Sequence, residues 1–309
     1  MIYTCTMNPA IDLFTEFENF APYVVNRSIQ EDYQANGKAI NISFILKEMK
    51  IDSVATGFLG GFTGNFIEKE LREKFIGTDF IEIDGITRIN TFIRSGEKEY
   101  KAVNRGPQIS QNSQEVLLQK IESLTEEDTL FVSGSLPIGV HDNIFVNIAK
   151  LSEKRGFQLI WDISSDYLLQ CLTYRPSLIK PNEQELAELL NVPELQTEKE
   201  LVEGASWLVS QGAQRVLVSL GEEGSLYVDK ENVLFASAPK GKVVNTACSG
   251  DTMLAMFVGK MLQTNDLEEA LISATAAGTS TAFSAGLSDL KDVPLLKEQV
   301  QLKRSTIKI

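Results

Sequence analysis

Strands and helices alternate regularly through the middle of this sequence, and the alternation limits the folds open to it. Short runs of apolar and β-branched residues occur at 129–133, 157–161, 177–179 and 215–219. Segments with apolar residues at helical spacing lie between them, near 142–154, 183–190 and 198–210. Strand–helix units of this kind build parallel sheets with helices on both faces. The pattern therefore predicts an α/β fold with a doubly wound, mostly parallel sheet.

The flanking regions extend this sheet and add a second one. We expect strands at 2–6, 53–59 and 80–83, helices at 39–49 and 65–74, and a glycine-rich turn at 57–64. Two stretches, about 12–35 and 87–105, mix aromatic, β-branched and polar residues, which is typical of exposed strands. They predict a small discontinuous β lid on a single domain spanning 1–309. Further on we expect short strands at 225–228 and 233–236, apolar helices at 252–262 and 267–283, and a polar tail.

Composition argues against several classes of protein. A formal net charge of −13 disfavours nucleic-acid binding, and 43% hydrophobic residues suffice for a buried core. No apolar run approaches about 18 residues, so neither a membrane-spanning helix nor a membrane partner is expected. The N-terminus lacks the basic region of a signal peptide, and Cys5, Cys171 and Cys248 have the spacing of neither a disulfide framework nor a zinc site. We therefore expect a cytoplasmic protein.

A turn of small residues followed by an apolar helix carries the strongest chemical signal. Residues 243–245 predict the end of a strand, and Asp251 stands where the following helix begins. Backbone N–H groups at a helix start favour negative charge, so those of Cys248, Ser249 and Gly250 are candidates for an anion hole. Asp251 itself is either a helix cap or a general base, and the spacing alone leaves both interpretations open.

Eight short motifs occur along the chain, most of them directly after predicted strands. They are Thr-Met-Asn-Pro-Ala-Ile-Asp at 6–12, Asn-Gly-Lys at 36–38 with Asn41, the glycine-rich 57–64, Thr-Arg-Ile-Asn at 87–90, Ser-Gly-Ser-Leu-Pro at 133–137, Lys-Pro-Asn-Glu-Gln-Glu-Leu at 180–186, Val-Ser-Leu-Gly at 218–221 and Ser-Gly-Asp at 249–251. In this order they resemble the ribokinase-like sugar kinases, in their phosphofructokinase B-type branch. The resemblance covers nearly the whole chain and is strongest to bacterial 1-phosphofructokinase and tagatose-6-phosphate kinase.

The resemblance implies transfer of the γ-phosphoryl group of ATP to a hydroxyl of a phosphorylated ketohexose. Fructose 1-phosphate, giving fructose 1,6-bisphosphate, is the first choice. The alternative is tagatose 6-phosphate or the substrate of another sugar kinase of the same family. Asp251 would be the general base beside the anion hole. Arg88 would bind the substrate's phosphate, because a guanidinium matches phosphate bidentately. The residues implied to contact the sugar phosphate are Asp12, Gly37, Lys38, Asn41, Arg88, Asn90 and Arg27.

The same resemblance implies a nucleotide site and a magnesium site. The implied nucleotide ligands are Lys180, Asn182, Ser219, Gly221, Gly224, Gly250, Ala277 and Gly278. Asn182 and Glu185 resemble the family's Asn-x-x-Glu element, which helps to hold Mg²⁺, through water. Since they are three residues apart at a predicted helix start, they could instead simply cap that helix.

Departures from the family pattern keep a different class of function open. Asn36, Ala39 and Cys248 replace glycines, and Phe92 stands where 1-phosphofructokinases carry a lysine. A positive φ is tolerated by asparagine and poorly by cysteine. The alternative is therefore a catalytically impaired sensor that binds a sugar phosphate. The apolar residues of the lid need cover, which favours a homodimer through the lid.

Overall fold

The strand Thr129–Ser133 is buried along its whole length, as expected in the middle of a parallel sheet covered on both faces. In the computed structural model, which describes residues 1–165 and 167–305, Leu130 and Val132 pack into one apolar cluster and Phe131 into another. Successive side chains of a strand point to opposite faces, so each face needs its own layer of helices. This arrangement confirms the predicted doubly wound α/β fold.

The main sheet contains most of the strands, and the lid contains four. The strands of the described residues are β1 (Ile2–Thr6), β2 (Ala10–Phe17), β3 (Gln30–Asn36), β4 (Ser53–Leu59), β5 (Gly77–Thr78), β6 (Ile81–Glu82), β7 (Arg88–Ser95), β8 (Lys98–Ala102), β9 (Thr129–Ser133), β10 (Gln158–Asp162), β11 (Leu178–Ile179), β12 (Val216–Ser219), β13 (Ser225–Val228), β14 (Val233–Ala236) and β15 (Leu302–Arg304). The main sheet has the order β15-β14-β13-β12-β11-β10-β9-β1-β4-β5, and β6 also pairs with β4. Within this sheet β12, β11, β10, β9, β1, β4 and β5 run parallel to one another. The strands β13, β14 and β15 are added by antiparallel pairing.

Helices cover both faces of the main sheet. The helices of the described residues are α1 (Lys38–Glu48), α2 (Gly61–Glu73), α3 (Gln111–Glu122), α4 (Asn143–Arg155), α5 (Leu168–Leu172), α6 (Glu183–Leu189), α7 (Glu198–Gln211), α8 (Ser249–Thr264), α9 (Leu267–Ala282) and α10 (Val293–Lys297). One buried cluster contains residues of α3 to α7, and the other contains residues of α1, α8, α9 and α10. Within the described residues, no helix is both long and apolar enough to span a membrane.

The lid is a four-stranded sheet with the order β3-β2-β7-β8. Its strands β2 and β7 are parallel, which sets Asp12 beside Asn90 in the register. Ile11 and Ala35 pack with Ile40 of α1 and Ile67 of α2 in a third apolar cluster. Asp12, at the start of the stretch predicted to form the lid, lies inside β2, whose pairing with β3 and β7 continues the strand through it.

Several predicted boundaries are wrong for identifiable reasons. The turn predicted at 57–64 is reduced to Gly60, because 57–59 belong to β4 and 61–64 form the first turn of α2. Residues 243–245 form no strand; the backbone N–H groups of Val244 and Asn245 both donate to the carbonyl of Ala282. The predicted polar tail contains α10 and β15, and β15 pairs with β14. The short helix α5 is likewise absent from the sequence-based prediction, since five residues give too little periodicity.

Candidate active site

The order of the sheet locates a crevice at the carboxyl ends of its strands. Strand β1 lies between β4 and β9, so the chain first builds the sheet on one side of β1 and then on the other, and ligands of such sheets bind at this switch point. Beyond these strands Asn8 donates through Nδ2 to Ser135 Oγ at 3.4 Å. A cleft of about 330 Å³ opens at this edge of the sheet. It is lined by Asn36, Lys38, Asn41, Lys180, Asn182, Glu185, Ser219, Cys248, Gly250 and Asp251.

Asp251 is the third residue of α8 and lies in this cleft, only 5% exposed. Its Oδ2 accepts a hydrogen bond of 2.9 Å from Asn41 Nδ2. Burial, reinforced by the negative charge of Asp162, raises the pKa of the Asp251 carboxyl to about 7, although Asn41, Lys38 and Lys180 act in the opposite direction. A carboxylate with this pKa can accept and release a proton near neutral pH.

The N-terminus of α8 is open toward the cleft. No side chain of the described residues caps this end, so its first N–H groups lack the usual acceptors. Cys248, the residue before the helix, has φ 64° and ψ 0°, a left-handed conformation that costs a non-glycine residue about 1–2 kcal/mol. Of the two positions where glycine is replaced, position 248 therefore does have a positive φ, whereas Asn36 does not. The Ser249 N–H makes only a long bond, 3.4 Å, to the carbonyl of Thr246.

Cys248, near Asp251, has a thiol that is poorly suited to act as a nucleophile. Asn41 Nδ2 donates to Cys248 Sγ at 3.1 Å. Burial, together with the nearby carboxylates of Asp251 and Asp12, raises the pKa of this thiol to about 12. A thiol with such a pKa is protonated at neutral pH and is a poor nucleophile.

Two lysines reach the same buried carboxylate from different elements. Lys38 at the start of α1 and Lys180 just after β11 each place Nζ 3.2 Å from Asp162 Oδ1. The Lys180 side chain is only 5% exposed and that of Lys38 38%. Burial opposes ionisation of Asp162, but the two ammonium groups outweigh it and hold its pKa below the ordinary value. Lys180 also lies against α8, since a Cβ on Gly250 would stand 3.2 Å from its Nζ.

Asp12 lies in a network of amides between the lid and α1. Asn90 Nδ2 donates to Asp12 Oδ1 at 2.8 Å, and Asn36 Nδ2 donates to Asp12 Oδ2. Burial raises the pKa of this carboxyl, while the two amides and Arg88 act against the rise. The Asn36 oxygen accepts from the Gly37 N–H, and a side chain on Gly37, whose φ is 153°, would collide with Thr6 Cγ2 at 2.7 Å.

Arg88 ties the lid to the loop after β1. Its Nη2 donates to the carbonyl of Asn8 at 2.8 Å and its Nη1 to that of Asn104 at 2.9 Å. The buried Nε has no hydrogen-bond partner among the described residues. Burial lowers the pKa of the guanidinium, and the neighbouring Asp12 acts against this. Since each terminal nitrogen carries two hydrogens, the guanidinium retains donors for a ligand.

Asn182 and Glu185 form the capping box that was one of their two predicted roles. Asn182 Oδ1 accepts from the Glu185 N–H at 2.7 Å, and Glu185 Oε2 accepts from the Asn182 N–H at 2.8 Å. Ser164 Oγ donates to the other oxygen of Glu185. Both residues also line the cleft, so a capping role and a ligand role are compatible here. A second cavity of about 520 Å³ adjoins this point and shares Asn182 and Ser219 with the first.

Some residues expected at the site lie outside the cleft. Arg27 is exposed in the loop between β2 and β3. Ala277 is fully buried in α9, and Gly278 packs where a Cβ would meet the Ser249 carbonyl at 3.2 Å. Gly221 lines the second cavity, and Gly224, whose φ is 110°, ends the short 3-10 turn that begins there.

Sequence reasoning assigned no role to two residues of the site. Asn36 lines the cleft and hydrogen-bonds Asp12, Gly37 and Asn41. Asp162 pairs with both lysines. The signal available for Asp162 was its place as an acidic residue at the end of a buried strand, where parallel sheets gather their functional groups.

A doubly wound sheet with a β lid, a buried carboxylate at an open helix N-terminus and two converging lysines define a phosphotransferase of the sugar-kinase type. The profile of the family described as "pfkB family carbohydrate kinase" matches residues 5–293. The chain therefore belongs to the pfkB family of carbohydrate kinases, enzymes that use ATP as co-substrate. This confirms the family resemblance and the fold found in the sequence.

Individual relatives match over nearly the whole chain. The D-tagatose-1-phosphate kinase of Bacillus licheniformis is 50% identical over 302 residues, covering 98% of this chain and 99% of its own. The 1-phosphofructokinase of Bacillus subtilis is 36% identical over 304 residues, covering 98% and 100%. Escherichia coli phosphofructokinase-2, solved with substrates and products, superposes with a TM-score of 0.88 at 27% identity over 96% of this chain and 98% of its own. Another structure of that enzyme is its tetrameric inhibited form.

Proposed function

We propose that this protein transfers the γ-phosphoryl group of ATP to a hydroxyl of a ketohexose 1-phosphate, with Asp251 as the general base. The observation that carries the proposal is Asp251 itself, a buried carboxylate with a pKa near 7 at the open N-terminus of α8. Two relatives, 50% and 36% identical to this chain, are named D-tagatose-1-phosphate kinase and 1-phosphofructokinase, and both names point to a ketohexose 1-phosphate as substrate. A ketohexose 1-phosphate carries its phosphate on C1, whereas tagatose 6-phosphate and fructose 6-phosphate carry it on C6.

Asp251 accepts the hydroxyl proton as the oxygen attacks phosphorus. Asn41 fixes one carboxylate oxygen, so the other, Oδ1, faces the acceptor hydroxyl. A positioned base contributes roughly 10²–10⁴-fold to the rate. The proton transfer leaves Asp251 neutral, which its burial favours.

The charge on the transferred group is held by the α8 N-terminus and the lysines. The N–H groups of Cys248, Ser249 and Gly250 form the anion hole, and the helix dipole adds to it. Lys180 supplies its ammonium group beside Gly250, and Lys38 reaches the same cleft from α1. Fixed donors of this kind need no reorganisation during the reaction.

The sugar lies between the lid and α1. Asp12, buried and held by Asn90 and Asn36, accepts hydrogen bonds from sugar hydroxyls. Gly37 and Asn41 adjoin it through Asn36, whose side-chain oxygen accepts from both. Arg88 binds the existing phosphate through its remaining donors. Arg27 serves as a secondary cation only if the loop between β2 and β3 moves toward the cleft.

The nucleotide runs along the turn after β12 toward α8. Ser219 lines both cavities, Gly221 and Gly224 shape the turn, and Lys180 with Asn182 stands between it and Asp251. Ala277 and Gly278 support the adenine side from behind, through the packing of α9 on the start of α8. This placement puts the γ-phosphate at the anion hole.

Magnesium fits the residues at the start of α6. Glu185 and Asn182 offer the oxygen donors that Mg²⁺ prefers, and both line the cleft with Asp251. Because their oxygens already accept hydrogen bonds at the helix start, they suit contact through water. Bound there with ATP, the ion would neutralise phosphate charge.

The proposal also includes a homodimeric assembly and a cytoplasmic location. The lid's exposed apolar residues, such as Val24, Val25 and Ile29, suit a homodimer in which one lid covers the other. The three cysteines are free thiols, as expected for a protein of the reducing cytoplasm.

Release of ADP from purified protein tests the function. The acceptors are fructose 1-phosphate, D-tagatose 1-phosphate, tagatose 6-phosphate, fructose 6-phosphate and unphosphorylated fructose. We expect turnover on a ketohexose 1-phosphate. The 50% identity to the Bacillus licheniformis enzyme makes D-tagatose 1-phosphate, the C4 epimer of the fructose compound, the second candidate. Binding of sugar phosphates without turnover of any would support the sensor instead.

A further inference from the structure

Asp162 is a buried acidic residue whose contacts link two lysines of the cleft. It is the last residue of β10 and is 1% exposed. A single oxygen, Oδ1, lies 3.2 Å from both Lys38 Nζ and Lys180 Nζ. The other oxygen, Oδ2, is buried and has no hydrogen-bond partner in the described part of the chain.

Among the described residues, Asp162 is the only carboxylate within ion-pairing distance of either lysine. Lys38 comes from the start of α1 and Lys180 from the loop after β11, so the shared carboxylate is what brings their ammonium groups together. Fixing each lysine side chain costs rotamer entropy, which the shared ion pair offsets. Two ammonium groups that converge without a counter-charge repel each other and turn toward water.

We propose that Asp162 is a positioning residue for phosphoryl transfer, which fixes the ammonium groups of Lys38 and Lys180 beside the N-terminus of α8 before the substrates bind. The proposal rests on the proposed function. Asp162 carries the charge that neutralises one lysine and leaves one net positive charge for the incoming phosphate. Lys180, against Gly250, is the member of the pair that depends on it most, because Lys180 is buried.

Asp162 also acts on the base through space. The charged and polar groups that face Asp251 are Asp162 from β10, Lys38 and Asn41 from α1, Lys180 after β11 and the Cys248 thiol. Asp162 raises the pKa of Asp251, and the lysines lower it. Neutralising Asp162 removes the charge that raises this pKa most after burial, so the pKa of Asp251 should fall.

The test compares Asp162→Asn with Asp128→Asn in the full-length enzyme. Asp128 also pairs with a cation, the N-terminal ammonium group at 2.9 Å, but it precedes β9 at the opposite end of the sheet. We expect Asp162→Asn to lower kcat on the order of 10- to 100-fold, as misplaced catalytic groups do. The acid limb of its pH–kcat profile should move to lower pH. Asp128→Asn should leave both unchanged, whatever it does to thermal stability.

A double-mutant cycle separates positioning from a merely structural ion pair. If Asp162 acts through Lys180, the variant that combines Asp162→Asn with Lys180→Gln should be no slower than Lys180→Gln alone. Multiplicative losses in kcat, with an unmoved acid limb, would overturn the proposal. If Asp162→Asn does not fold, Asp162→Glu keeps the charge and displaces it. We then expect a lower kcat with the acid limb in place, and a wild-type kcat would overturn the proposal.

Failure of the proposed function looks different. In that case the wild-type protein turns over none of the phosphosugars. In contrast, if the wild type is active and the Asp162 variants have its kcat and its pH–kcat profile, only the positioning role is contradicted.

Discussion

Asp251 Oδ2 accepts a hydrogen bond of 2.9 Å from Asn41 Nδ2, and this bond joins the start of α8 to the first helical turns of α1. The same amide lies 3.1 Å from Cys248 Sγ and 3.1 Å from Asn36 Oδ1. One buried amide therefore connects Asp251, the strained Cys248 and the network that holds Asp12. In the described part of the chain Asp251 Oδ1 has no such partner, which leaves it for a substrate hydroxyl.

The pH dependence of turnover should report the base. Because burial raises the pKa of Asp251 to about 7, kcat should fall as the pH drops through that value and the carboxylate becomes protonated. The measurement is kcat between about pH 5.5 and 9, with the substrate's own phosphate titration followed by ³¹P NMR, since phosphate monoesters also titrate near 6. A limb that follows the substrate titration alone, or a kcat that stays constant down to the lowest pH measured, would speak against the assignment.

Asp251→Asn should stabilise the fold at high pH. A carboxyl whose folded-state pKa exceeds its unfolded value costs stability as the pH rises above the unfolded value, and the full cost is present above the folded pKa. For Asp251 the pKa rises from 3.8 to about 7, which corresponds to a few kcal/mol on an order-of-magnitude scale. We expect a higher Tm than wild type at pH 8.5 and a much smaller difference at pH 5. An equal Tm at both pH values would contradict the burial argument.

Arg88→Ala should weaken binding of the phosphosugar. Losing charged hydrogen bonds to phosphate should raise the KM for the sugar phosphate by an amount equivalent to about 2–3 kcal/mol, with a smaller change for ATP. Arg94→Ala is the matched control, since Arg94 is an exposed arginine on the same strand, β7. Arg88 also holds two backbone carbonyls, so Tm is measured beside the kinetics. Unchanged KM in a folded Arg88 variant would move the phosphate site elsewhere.

A charge on the lid should break the homodimer. Val25 is 82% exposed in the loop between β2 and β3, and burying an aspartate there in an apolar interface is costly. Sedimentation velocity at micromolar concentration should show a dimer for wild type and a monomer for Val25→Asp. The control is Phe75→Asp, at an equally exposed apolar residue just after α2, which should remain dimeric. A monomeric wild type would contradict the proposed assembly.

The fold was largely predictable because its strands obey local rules. The predicted bounds of β1, β4, β9, β13 and β14 match the structure, since runs of apolar residues end at clear turn signals. β15 was missed because its residues, Leu302–Arg304, are mostly polar and exposed, and only its pairing with β14 makes it a strand. The strand expected at 243–245 is a loop because its N–H groups bond the end of α9 instead.

Some residues that line the cleft were predictable one by one from motifs, but the network that joins them was not. Motifs pointed to Asp251, Lys38, Asn41 and Lys180, which line one cleft. They could not show that Asp162 joins the two lysines, because those contacts span 124 residues in one case and depend on strand order. Nor could they show that Asn182 and Glu185 serve the helix start as well as the cleft.

The most direct test of the account is the turnover of Asp251→Asn with a ketohexose 1-phosphate and ATP. Asparagine keeps the shape of the side chain but cannot accept the hydroxyl proton at neutral pH. We predict that kcat falls roughly 10²–10⁴-fold, while the dissociation constants for ATP and the sugar phosphate, measured by calorimetry, change little. Wild-type kcat in the folded variant would contradict the central claim that Asp251 is the base of this kinase.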